Sequence, residues 1–290
     1  MMQQTTLENL KQSQNLKLLS QLSKMTQKKL KEPLNSQNYY DNAADWRYMS
    51  PTLFKRFMAC EFSALHDLEN PTENNAEALV VGNYVHSYFE SVKAHATFVK
   101  DHEQIINGRG GKPKAAFVKA QKMIDRLDNW NAFKAAYKGE KEAIVTGNLF
   151  GIDWKGKIDC LNVEAGIFFD IKTTRSIHDH IWNEETRTKE NFVIRYNYTL
   201  QMAAYKTMLE QMYGQEFTPV IVAVSKEDHP DIQMISFDGY DFEQDLQLVK
   251  DNQEHIMNVI YGKEEPFKCG HCDYCKDTKQ PTDVISVLDL

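Results

Sequence analysis

The stretch GKIDCLNVEAGIFFDIKTT, residues 156–174, carries two aspartates and a lysine where they could do chemistry together. Runs of β-branched and aromatic residues flank Asn162 to Gly166, whose composition reads as a turn between two strands. With the turn centred between Glu164 and Ala165, Asp159 and Asp170 fall opposite each other on one face, their Cβ atoms about 5 Å apart. Lys172, two residues on, points the same way, while Ile158, Cys160, Phe169 and Ile171 take the other face and enter the core. Two carboxylates side by side repel unless a cation sits between them, and Mg²⁺ suits such an oxygen site. A lysine beside them can hold a nucleophilic water or steady charge on a phosphate. A plain surface hairpin with one Asp–Lys pair and an unrelated aspartate fits the same register.

A second metal-type pattern stands near the end, in FKCGHCDYCKDTK, residues 267–279. Cys269, Cys272 and Cys275 are spaced by three, with His271 between the first two. The chain has five cysteines, an odd number. Its first residues are too polar for a signal peptide, so a cytoplasmic, reducing location is expected, where such spacing favours metal ligation over disulfides. Cys-x-x-Cys-x-x-Cys wraps an iron–sulfur cubane, and [4Fe–4S] is the first reading. Zinc is the alternative, with Cys60 or His271 as fourth ligand. Cys160 belongs to the core.

Several elements must position these groups. Residues 1–45 are rich in Gln, Lys, Asn and Ser and read as a polar, partly helical or disordered tail. A helix is expected over YMSPTLFKRFMACEFSALHDL, with Ser50 as N-cap and Pro51 at the first helical position. A second follows in EALVVGNYVHSYFESV, whose apolar residues recur at three and four. There Gly82 and His86 share a stripe with Glu90, and a glycine inside a helix, costing about 1 kcal/mol against alanine, implies that something approaches closely. A glycine-rich basic loop, residues 107–114, feeds another helix. Three strands follow between residues 142 and 174, then a helix ending at Gly214, two further strands, and a last helix before the cysteines. The order implies an α/β fold with a central mixed β-sheet flanked by helices. Residues 46–279 form its single domain, and residues 280–290 a C-terminal tail.

These residues resemble the PD-(D/E)XK nuclease superfamily in its RecB-like and RecE-like exonuclease branch. In that branch an Asp ending one strand and an Asp-x-Lys on the next hold the metals, matched here by Asp159 and by Asp170-Ile171-Lys172. The helix with a Gly four residues before a His is matched by Gly82 and His86. The Gln-x-x-x-Tyr motif is matched by Gln201 and Tyr205, a pair that in the branch orients the lysine and the DNA strand. The resemblance runs from residue 48 to residue 276. It implies that His86, Asp159, Asp170 and the backbone carbonyl of Ile171 hold one or two Mg²⁺ or Mn²⁺ ions, and that Lys172 positions or helps deprotonate the attacking water. It also implies a homo-oligomer acting on linear duplex DNA ends, with a single-strand annealing protein as partner in phage-type recombination. In the cysteines the chain is more similar to AddB-type nucleases, in which one Cys before the core and three after it hold an iron–sulfur cluster. Cys60, Cys269, Cys272 and Cys275 match them, with a shorter last spacing.

Overall charge does not favour nucleic acid, since the formal net charge is −7. DNA contact therefore calls for a local patch, and Arg109, Lys112, Lys114, Lys119 and Lys122 form the densest one outside the tail. A solvated basic helix reads equally well from the same residues. No G-x-x-x-x-G-K-[ST] phosphate loop is present, which excludes a fused helicase motor. No apolar run approaches the roughly 20 residues of a membrane span. Besides a DNA exonuclease, two readings stay open: a RecB-like single-strand nuclease working with a separate helicase or in CRISPR adaptation, and an inactive DNA-binding or docking module.

Overall fold

Two-residue alternation of apolar side chains builds the central sheet, which the computed structural model describes within residues 33–72, 76–184, 186–282 and 284–289. The strands are β1 (Glu140–Leu149), β2 (Ile152–Asn162), β3 (Ile167–Thr174), β4 (Ile181–Asn183), β5 (Thr188–Glu190), β6 (Thr218–Ser225) and β7 (Ile232–Ser236). Five of them form a mixed sheet in the order β1-β2-β3-β6-β7, while β4 and β5 pair as a separate ribbon. β1, β2 and β3 run antiparallel, β3 pairs β6 in parallel, and β7 returns antiparallel to β6. This is the expected α/β architecture.

Both faces of the sheet are covered, so its central strands are apolar on both sides. In β6, Ile221 and Ala223 enter one apolar cluster while Val220, Val222 and Val224 enter the other. The first cluster takes in α2 (Pro51–Ala59) and α3 (Glu61–Glu69), preceded by the short α1 (Asn42–Arg47). The second takes in α4 (Glu77–Glu90) and, beyond α5 (Val92–Asp101) and α6 (Glu103–Ile106), α7 (Ala115–Asp128) and α8 (Asn131–Ala136). After α9 (Phe192–Arg195), helices α10 (Tyr198–Tyr213) and α11 (Glu243–Ile260) return to the first cluster, and α12 (Asp273–Asp277) carries the last cysteine. No helix among the described residues is long and apolar enough to cross a membrane.

The β2–β3 hairpin has the expected register, pairing Cys160 with Phe169, Leu161 with Phe168 and Asn162 with Ile167. Its turn is closed by Asn162 Oδ1, which accepts from the Ala165 amide at 3.0 Å. Ile158 departs from the expected face: it joins Leu161 and Phe168 in the first cluster, whereas Cys160, Phe169 and Ile171 lie in the second. Strand β2 therefore changes face around Asp159, a local break in the pleat.

Ser50 caps α2 as expected, its Oγ accepting from the Leu53 amide at 3.2 Å. The single helix expected there is two, because Cys60 is extended (φ −167°) and separates α2 from α3. The folded body also begins ahead of residue 46. Lys155, 2% exposed, donates to the Tyr39 carbonyl at 2.7 Å and pairs with Asp45 at 2.7 Å. Residues 1–32 of the expected tail lie outside the described residues.

Helix α10 lies close on the β1–β2 ribbon, and glycine makes room for it. A Cβ on Gly156 would stand 2.5 Å from Tyr205 Cε1 and 3.0 Å from Met208 Cε. Gly156→Ala should lower stability by about 1–3 kcal/mol through overpacking. Thermal unfolding measures this, and an unchanged midpoint would refute the close packing.

Candidate active site

Beyond Cys160–Phe169 the β2–β3 ladder stops, although β3 continues alongside β6 as far as Thr174. Lower on the same edge of β2, Met49 bridges Trp154. Between these pairings the sheet opens into a gap. The Ile171 amide, released from the ladder, donates instead to Asp159 Oδ2 at 2.6 Å. The N–H and C=O of one strand residue face the same edge, so the Ile171 carbonyl points into the gap as well.

Side chains from both layers converge there. From α4, His86 places Nδ1 3.2 Å from Asp159 Oδ2. Gly82, four residues earlier, is not under close approach: a Cβ there would find Thr173 Oγ1 at 3.8 Å, an ordinary contact. From α10, Gln201 Nε2 donates to Asp170 Oδ1 at 3.1 Å and to the Tyr205 hydroxyl at 3.2 Å. Lys172 Nζ lies 2.5 Å from Asp170 Oδ2 and 4.6 Å from the Tyr198 ring centroid. Asp170 Oδ2 is buried yet accepts no hydrogen bond of proper direction.

Glu142 is the member that sequence reasoning missed. One ligand atom each from Glu142, His86 and Asp159 lie within 4.8 Å of one another. Its backbone stands at φ 54°, the left-handed region, inside strand β1. Such a conformation costs a non-glycine residue on the order of 1–3 kcal/mol and concentrates at functional sites. Lys157 holds the carboxylate at 2.5 Å and is itself 3.4 Å from the Tyr40 hydroxyl. The sequence signal, Glu142 opposite Asp159 in the β1–β2 register, was open only once that register was known.

The charges come in pairs: Glu142 with Lys157, Asp159 with His86, Asp170 with Lys172. Burial drives Asp170 above the usual carboxylate range, against the Lys172 charge. Burial also works to raise Asp159, but the His86 charge and hydrogen bond outweigh it and hold it low. His86 itself is raised, because Asp159 overrides the opposing effect of burial. Glu142 is raised by burial and then by the neighbouring Asp159 charge. Lys172 is raised, the charge of Asp170 overcoming burial.

The family described as a PDDEXK-like domain of unknown function (DUF3799) matches residues 50–278. The chain belongs to this family. Its similarity extends to the crystal structure of a protein from Eubacterium rectale named "putative exonuclease", 33% identical. That match covers 89% of this chain and 98% of the other, with a TM-score of 0.82. The structure of SSO0001, 15% identical over 77% of this chain and 91% of its own, superposes with a TM-score of only 0.29. None of the curated proteins matches the chain.

The PDDEXK-like domain is closed by the cysteines. Sγ atoms of Cys60, Cys269, Cys272 and Cys275 all lie within 4.8 Å of one another. Cys60 Sγ is 3.6 Å from that of Cys275 and 3.7 Å from that of Cys272, and Cys269 is 4.0 Å from Cys275. The fourth position is therefore Cys60, while His271 turns Nδ1 to the Cys269 carbonyl at 2.8 Å. Amide hydrogen bonds from His271 and Cys272 bring the Cys269 thiol down to about 6. Around the cluster, Phe62 donates its amide to the Phe267 carbonyl at 3.1 Å, and the Tyr274 ring stacks on His66 at 4.1 Å. Cys160 is separate and fully buried, with Lys141 Nζ 3.0 Å from its sulfur.

Of the basic candidates, Lys119 pairs with Asp228 at 3.0 Å and Lys122 donates to the Asp228 carbonyl at 3.2 Å. Arg109, Lys112 and Lys114 are exposed on the loop before α7. None of the five enters the hydrogen bonds or ion pairs of the carboxylate cluster among the described residues.

The donor set of two aspartates, a glutamate, an imidazole and a carbonyl fits a hard divalent cation, and Asp170 Oδ2, held against Lys172 without a well-directed hydrogen bond, keeps lone-pair capacity for one. Glu142→Gln should weaken Mn²⁺ binding about tenfold or more. Titration calorimetry on the purified domain measures it, and unchanged affinity would remove Glu142 from the ligand set.

Proposed function

We propose that the chain is a deoxyribonuclease that hydrolyses phosphodiester bonds with Mg²⁺ or Mn²⁺ held by His86, Glu142, Asp159, Asp170 and the Ile171 carbonyl. The observation that carries this reading is the convergence of Asp159, Asp170 and Lys172 on one gap in the sheet, with the Lys172 ammonium 2.5 Å from the buried Asp170 Oδ2. When bound, the cation supplies Lewis-acid polarisation of the phosphoryl group and a more acidic water. The chain's own residues do the positioning. Gln201, steadied by Tyr205, fixes the rotamer of Asp170. Asp159 is fixed by the Ile171 amide and by His86. Lys172, an ammonium held against Asp170, donates hydrogen bonds to the attacking water or to a phosphate oxygen as charge builds there.

The name of the E. rectale relative favours an exonuclease, and the resemblance to RecE-like enzymes favours linear duplex ends, an oligomer and a single-strand annealing partner. Arg109, Lys112 and Lys114 are the exposed cations offered to the DNA backbone, with Lys119 paired to the Asp228 carboxylate and Lys122 turned to its backbone carbonyl. Digestion of end-labelled linear duplex and of closed circular DNA with Mg²⁺ tests the reading. The linear substrate should be degraded and the circle spared. Asp170→Asn and Lys172→Met should each cut the rate by at least about 100-fold without loss of the folded state. Full activity in either variant would sink the assignment.

The cysteine centre reads as a single tetrahedral ion, zinc, rather than the cubane the spacing favours. Four thiolates about 2.3 Å from one zinc stand about 3.8 Å apart, and the sulfur separations here are 3.6, 3.7 and 4.0 Å. A cubane places each thiolate on a different iron and spreads the sulfurs further. Anaerobically purified protein should be colourless and carry one zinc ion per chain by elemental analysis. Stoichiometric iron and sulfide would restore the [4Fe–4S] reading.

A further inference from the structure

Lys55 is the cation the mechanism leaves unused. It lies on α2, half-buried, with Nζ 3.3 Å from the Tyr196 carbonyl and 5.2 Å from the Tyr198 ring centroid. Lys172 sits over the same ring at 4.6 Å, so the two ammonium groups share one aromatic neighbour. The other three cations of the site each hold a carboxylate, whereas Lys55 has none within ion-pair distance among the described residues. Burial first, and the Lys172 charge second, bring it down to about 8, which leaves it mostly protonated at neutral pH. A half-buried ammonium beside another, satisfied by one carbonyl, is unfavourable unless an anion visits.

The aromatic neighbours fit the same visitor. Tyr196 ends α9, and Asn197, in the left-handed region at φ 50°, turns the chain sharply into α10 at Tyr198. The two rings stand 6.0 Å apart, and that of Tyr196 is 50% exposed. An exposed aromatic ring next to a cation is the pairing that proteins use to hold a base and its phosphate on a single strand.

We propose that Lys55, Tyr196 and Tyr198 form a nucleotide subsite beside the carboxylates, Lys55 holding a backbone phosphate and Tyr196 stacking on a neighbouring base; the proposal rests on the nuclease reading above. The alternative is structural: Lys55 merely caps the carbonyl end of α9. Binding of a labelled single-stranded oligonucleotide, followed by fluorescence anisotropy across a salt series in the non-cutting Asp170→Asn chain, separates the two. Lys55→Gln should flatten the slope of log K against log salt by about 0.7, the share of one phosphate contact on a single strand. Lys55→Arg should keep the slope. Tyr196→Ala should weaken binding about tenfold with the slope unchanged, and Tyr196→Phe should not. In the active chain, Lys55→Gln should raise KM about tenfold. A Lys55→Gln variant that unfolds at lower temperature yet keeps slope and KM overturns the subsite while the nuclease reading stands. A parent chain that neither cuts nor binds DNA overturns both.

Discussion

The candidate site depends on one event in the backbone, the parting of β2 from β3. Were the ladder to continue past Cys160–Phe169, the Ile171 amide and carbonyl would be spent on β2, and Asp159 would face a closed sheet. Instead the strands separate, and the Asp159 carboxylate takes the amide that the ladder gives up. A buried amide without an acceptor would cost about 1–3 kcal/mol, so the same bond satisfies the backbone and fixes a candidate ligand. β3 tolerates losing β2 because β6 holds its other edge throughout. The gap is kept open from below by Met49, which pairs the β2 edge at Trp154, and by buried Lys155, which anchors Tyr39 and Asp45 there.

The parting also explains why residues from opposite layers meet. A helix on one face of an intact sheet cannot reach side chains on the other. Here α4 sends His86 to Asp159 from the second cluster, and α10 sends Gln201 to Asp170 from the first. The change of face around Asp159 is the local expression of the same irregularity, and the left-handed Glu142 on β1 is its counterpart across the ladder. The left-handed conformation of Glu142 brings a third carboxylate to the gap.

Much of this is legible in the sequence where geometry is local. The symmetry of the turn yields the Cys160–Phe169 pairing next to the two aspartates, because a hairpin's register is set by its loop, but not the end of the ladder just before Asp159 and Asp170. Gln201 and Tyr205, at helical spacing, were readable for the same reason, as were the Ser50 cap and the stop at Gly214. What was hidden depends on distant pairing or on backbone irregularity. Glu142 looks like any polar strand residue until β1 is laid against β2. Strict alternation puts Ile158 on the face of Cys160, and it fails where the pleat breaks. Cys60 reads as a position inside a helix, and only its extended conformation reveals a helix break. Tyr39 and Asp45 sit in a polar stretch, and nothing there announces the buried lysine more than 100 residues on that holds them.

The two metal-type centres differ in what the chain supplies for itself. At the gap, each acid already has a basic partner, so the carboxylates are neutralised from within. The acids of that region are therefore balanced without a cation. The cysteine cluster has no such internal balance. Its sulfurs are joined to one another and to backbone amides, and their thiolate forms repel. Four converging thiols with no cation of the chain between them favour a resident ion. It would also close a loop from residue 60 to residue 275 that spans the whole sheet, and closing a long loop restricts the unfolded chain most. A site whose charges balance without an ion suits the exchange that the proposed hydrolysis would require, whereas four converging thiols suit a permanent ion that would hold the last segment against α3.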